Sequence, residues 1–126
     1  MKLHDYITGH LGRPFEWGKH DCVLFAVGWL EQTTGRDFLG PYKPWGSAIE
    51  AARKVAKAGG LDLLFDQQLA PINPHRAVDG DLAIIRGTAY LFSGAHVVSV
   101  GEEGLVFKDR LEAAYAWSHQ IQKEEA

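Results

Sequence analysis

Residues 14–26 read Pro-Phe-Glu-Trp-Gly-Lys-His-Asp-Cys-Val-Leu-Phe-Ala, and the rest of the fold can be worked out from them. Asp21 is a strong N-cap residue, so a helix is predicted from about Cys22 to Thr34, closed by Gly35. Its apolar residues (Val23, Leu24, Phe25, Ala26, Val27, Trp29, Leu30) lie nearly all round, which marks a buried central helix. Upstream, Arg13-Pro14 ends a first helix whose Leu3, Tyr6, Ile7 and Leu11 fall at helical spacing. Cys22 therefore stands at a helix start, where unpaired N–H groups and the helix dipole favour a thiolate. Gly18, Lys19 and His20 before it are small or cationic. Two readings follow for Cys22: an activated nucleophile, or the first buried residue of the helix.

Downstream, GRDFLGPYKPWG (35–46) is dense in turn residues. Its aromatics Phe38, Tyr42 and Trp45 suit a lid or a groove wall. Ser47 caps a predicted helix through about Lys57, ended by Gly59-Gly60, and a short helix is expected from about Leu61 to Leu69. PINPHR (71–76) reads as a connector. The next stretch reads as strands: DLAIIR after the Asp79-Gly80 turn, AYLF after Gly87, then AHVVSV, and LVF after Gly101–Gly104. Three or four short strands joined as hairpins make a small antiparallel sheet, and a helical piece is expected over Leu111–Trp117. Helices first and strands later define an α+β domain, expected over residues 1–120 with a polar tail at 121–126.

The chain has 126 residues, 46% of them hydrophobic and 23% charged, which fits one domain with one core. Thirteen basic and sixteen acidic residues give a net charge of −3. No basic field points to nucleic acid. The single cysteine excludes an internal disulfide and any Cys-based zinc or iron–sulfur site within one chain. HExxH, Walker and GxGxxG patterns are missing, so neither a metal nor another cofactor is implied. No secretory h-region or spanning segment is visible, so a soluble protein made in the cytosol, without membrane insertion, is expected. Asp62 and Asp66, four apart on a predicted helix, fit a solvated face.

A cysteine nucleophile needs a base that can also protonate the leaving group. Of the six histidines, His4 and His10 fall on the first helix, His75 in the connector and His119 towards the tail. His20 is too near Cys22 in sequence to reach it around a helix start. His96 differs: it begins the apolar strand HVVSV after Gly94-Ala95, where a sheet presents an imidazole to a helix N-terminus.

The block Phe15, Trp17, Gly18, Asp21, Cys22 and Phe25 resembles the nucleophile motif of the NlpC-type cell-wall peptidases, a papain-like family. Gly80-Asp81-Leu82 followed by His96-Val97 resembles that family's second block. The two blocks together span most of the chain. FEWGKHDC, followed by Thr34–Asp37 and by Ala116-Trp117, is most similar to the small NlpC-like proteins of phage tail modules and prophages. The resemblance implies a papain-like α+β fold with the cysteine opening a central helix packed on a small sheet. It also implies a thiol peptidase or amidase acting on peptidoglycan stem peptides. Cys22 would attack the amide carbonyl, His96 would serve as base and then acid, and the Cys22 N–H would belong to an oxyanion hole. Trp17, Gly18 and Asp21 would bind substrate.

The sequence departs from the family at three points. Val23-Leu24 replaces the usual Ser-Gly after the cysteine. The residue that orients the histidine falls on Lys108, which accepts no hydrogen bond. Asp109 is the nearest acceptor, but strand alternation points it to the other face. The strand register also has two solutions. In the second, AYLFSG is the family's histidine strand, AHVVSV is its hairpin partner, and the base position falls near Tyr90. That solution implies a degenerate enzyme kept as a structural or binding component of the tail tip. In either case the resemblance implies synthesis in the host bacterial cytoplasm, a place at the virion tail tip, and tail hub or tape-measure proteins as neighbours.

Overall fold

The computed structural model describes residues 2–17, 19–35, 46–57 and 59–122, with side chains described as far as residue 119. Among the described residues four α-helices precede most of the sheet: α1 (Leu3–His10), α2 (Cys22–Thr34), α3 (Ala48–Lys57) and α4 (Leu61–Asp66). The strands are β1 (Leu69–Ile72), β2 (Leu82–Ile85), β3 (Thr88–Ser93), β4 (His96–Gly101), β5 (Gly104–Asp109) and β6 (Tyr115–Gln122). They form one six-stranded sheet in the order β1-β6-β2-β3-β4-β5, with every neighbouring pair antiparallel. The architecture is α+β.

The central helix forms where its caps lie. Asp21 is extended and its side chain accepts from the Leu24 N–H at 2.9 Å, while Gly35 closes the helix at φ +73°. Val23, Phe25, Ala26, Val27, Trp29 and Leu30 are all buried, and α2 packs on β3 and β4. Leu82, Ala89, Leu91, Val98, Val100 and Trp117 meet the helices from the sheet. Ala83, Ile85, Tyr90, Phe92, Val97 and Ala116 form a second apolar layer on the opposite face. Middle strands buried on both faces explain why DLAIIR is apolar without alternation.

Several expectations are corrected. The sheet has six strands rather than three or four. The first extra strand, β1, occupies the end of the expected Leu61–Leu69 helix and part of the PINPHR connector. The rest of that connector is a 3-10 turn, Pro74–Arg76. The expected helix over Leu111–Trp117 is instead a 3-10 turn at Arg110–Glu112 followed by β6. β6 runs two residues into the expected tail, with Gln122 opposite Leu69. Leu11 lies beyond α1 and is 54% exposed, so it is not part of the buried stripe. The aromatic loop 36–45 and residues 123–126 lie outside the described residues.

Candidate functional site

The site is assembled where the start of α2 meets β3. Cys22 is half-buried, and the backbone of Ala89 hydrogen-bonds its sulfur. Burial pushes the thiol above its ordinary value. The Ala89 contact and the N–H groups of the helix start act against the shift, and the Asp21 charge adds to it. The dipole at a helix N-terminus is thus outweighed by desolvation, and the resting group is a thiol. Beside the sulfur lies an apolar cleft of about 200 Å³ walled by Trp17, Ala51, Ala52, Val55, Leu61 and Gly87. Gly87 closes the two-residue Arg86-Gly87 turn, in which both residues take positive φ. A wider groove of about 540 Å³ begins on the other side of that turn, between Ile85, Arg86, Glu112 and Tyr115. The Tyr90 phenol is held above its usual range by burial first, then by the charges of Cys22 and Glu112, with Arg86 opposing. The hydroxyl therefore stays protonated near neutral pH.

The sequence-derived candidates do not converge. His96 is exposed at the far end of the β3–β4 hairpin, with its Cα opposite Ser93. Ser93 is four residues along β3 from Ala89, so His96 sits about 13 Å along the strand direction from the cysteine contact. Ala89, with its methyl group fully buried, is what β3 places against Cys22. Asp109 pairs with His96 in the β4–β5 register and shares its face, while Lys108 pairs with Val97 on the other. The expectation that alternation turns Asp109 away from the histidine is thereby corrected. Its carboxylate, however, accepts from the Leu111 N–H at 2.9 Å and caps the 3-10 turn. Trp17 is 37% exposed and packs edge-on against Phe15. Asp21 is buried as the cap of α2, and Gly18 lies outside the described residues.

Other polar contacts are more highly organised than the expected triad. Asp81 is buried and accepts from the N–H of Val78 at 2.8 Å, the N–H of His119 at 3.1 Å and the His119 ring at 2.5 Å. Burial alone would raise its carboxyl. The His119 ring and the two N–H donors outweigh burial and hold it below the ordinary value. His20 is buried, stacks on His10 with ring centroids 5.1 Å apart, and has its pKa lowered by burial and by Arg13 and His10. Arg110 donates to the carbonyls of Gly94, Pro74 and Ala77 and covers the Phe92 ring. No sequence signal marks the His119 contact, because the strand carrying it reads locally as helix. Among the described residues no group of three or more His, Cys, Asp or Glu is arranged to hold a metal, and no helix is long and apolar enough to cross a membrane.

Fold and site together define a small α+β domain with a half-buried cysteine at the start of its central helix and no histidine against the sulfur among the described residues. Residues 1–119 match the family described as a domain of unknown function, DUF6950, and the chain belongs to that family. No curated protein and no solved structure matches it.

Proposed function

We propose that the chain is a papain-like, NlpC-type domain whose thiol site is catalytically degenerate, serving as a structural or binding component of a phage tail tip. The β3–β4 register carries the reading. With AYLFSG beside Cys22 and AHVVSV as its hairpin partner, the base position falls near Tyr90; the residue β3 sets against the sulfur is Ala89, whose methyl side chain can neither take nor give a proton, and the Tyr90 ring lies on the other face of the sheet. His96 is left at the wrong end of the hairpin. The raised thiol and the bulky Val23-Leu24 after it support the same conclusion. The tail-tip assignment, with tail hub or tape-measure proteins as neighbours, is supported by the likeness of the FEWGKHDC block and Ala116-Trp117 to phage NlpC-like proteins. The cytosol of the host as the place of synthesis has the same support.

Alkylation and digestion test the reading together. Iodoacetamide at neutral pH is expected to label Cys22 about tenfold or more slowly than a free cysteine. Purified peptidoglycan is expected to release no fragments with either the wild type or Cys22→Ala. Fragments released by the wild type and not by Cys22→Ala would establish the thiol peptidase or amidase instead.

A further inference from the structure

The two edges of the sheet differ in a way the candidate site does not explain. β1, at one edge, has four residues and contains Pro71, which has no N–H to offer a neighbouring strand. β5, at the other, has six residues and no proline, and it exposes Val106 (37%) and Phe107 (51%). The β4–β5 hairpin turns at Glu102-Glu103, with Gly101 opposite Gly104. Ladder alternation then turns the amides of Gly104, Val106, Lys108 and Arg110 inward, and the Arg110 N–H indeed bonds the Ala95 carbonyl at 3.1 Å. The backbone N–H and C=O groups of Leu105 and Phe107 therefore point outward at the edge.

We propose that β5 pairs with β5 of a second copy of this chain, antiparallel about a twofold axis at Val106, joining two sheets into one. In that register the outward groups of Leu105 and Phe107 meet those of Phe107 and Leu105 of the second copy, and Val106 meets Val106. The exposed Phe107 ring closes over Leu105 of the other copy, which is already half-buried against the helix-side core. Charge follows the same symmetry. Glu102-Glu103 stand just before the strand, and Lys108, Asp109 and the flanking Arg110 stand at its other end with one net positive charge, so antiparallel pairing sets the acidic turn of each copy beside the net basic end of its mate. Lys108 lies opposite Gly104 and diagonally across from Glu102, within reach of a long side chain. Glu103 approaches Asp109, but that carboxylate is turned back onto the Leu111 N–H. A single apolar strand at one edge is self-complementary, which is what a closed isologous dimer requires.

Sedimentation equilibrium on the whole chain tests this at concentrations on the order of 0.1 mM, suited to a small edge-to-edge interface. The wild type is expected to show a two-chain mass that falls towards one chain on dilution. Val106→Lys, which sets two like charges across the axis, and Phe107→Pro, which removes an outward N–H, are expected to show one-chain mass with an unchanged far-UV spectrum. If Phe107→Pro fails to fold, Val106→Lys decides alone. A wild type of one-chain mass at that concentration, or a dimer that survives Val106→Lys, overturns the proposal.

Discussion

Arg110 holds together a region with little secondary structure of its own. Its guanidinium reaches the carbonyls of Gly94, Pro74 and Ala77 at 3.2, 3.1 and 2.8 Å, and it lies 5.1 Å over the centre of the Phe92 ring. These three carbonyls belong to the β3–β4 turn and to the segment covering the outer face of the sheet. A planar fork with several fixed donors serves them together, whereas an ammonium group serves one or two and loses the stacking. Arg110→Lys is therefore expected to destabilise by about 1–2 kcal/mol and Arg110→Ala by about 2–4 kcal/mol, since charge-assisted bonds each contribute about 1.5–3 kcal/mol. Urea unfolding with an unchanged slope would measure both. Equal stability of Lys and Arg at this position would show that charge alone suffices.

The packing of α1 on α2 turns on one hydroxyl. The Tyr6 O–H donates to the Phe25 carbonyl at 2.6 Å, and a Cβ on Gly28 would stand 2.6 Å from that oxygen. Glycine inside a helix normally costs about 1 kcal/mol relative to alanine, so here close approach has overridden propensity. Gly28→Ala is expected to destabilise by about 1–2 kcal/mol in the wild type, because overpacking displaces the bond. In a Tyr6→Phe background the same change is expected to be neutral or stabilising, and a double-mutant cycle by thermal unfolding reads the coupling directly. α2 itself was legible because cap, apolar run and closing glycine all agree. β1 and β6 were not: Pro71 argues against a strand, and Leu-Glu-Ala-Ala before Tyr115 is made of helix formers that tertiary pairing overrules. At the candidate site the position of Cys22 was legible from Asp21 and the helix start. Which hairpin strand lies against it was not, because period-two alternation is the same in AYLF and AHVVSV and only the third dimension separates them.

For the molecule as a whole, β6 matters most, because the end of the chain returns to lie between β1 and β2 and makes the sheet continuous. Side-chain bonds at Trp117 and His119 fasten it. The Trp117 indole donates to Asp66 at 2.8 Å, and Asp81, just before β2, bonds both the ring and the backbone N–H of His119. Asp81 is buried with its carboxyl held below the ordinary value of 3.8, so folding favours the carboxylate form. The sign follows by linkage. The stabilisation is fully present above about pH 4, the unfolded carboxyl's range, and is lost as the pH falls through the lower folded value. The sheet is therefore expected to loosen first at the β2–β6 seam on acidification. Asp81→Asn keeps the shape and removes the titration, and it should unfold more easily at neutral pH by about 2–3 kcal/mol while losing less stability between pH 5 and pH 2. Urea midpoints for both proteins across that range provide the measurement. Parallel losses would place the acid sensitivity on other carboxylates and reduce Asp81 to a neutral packing role.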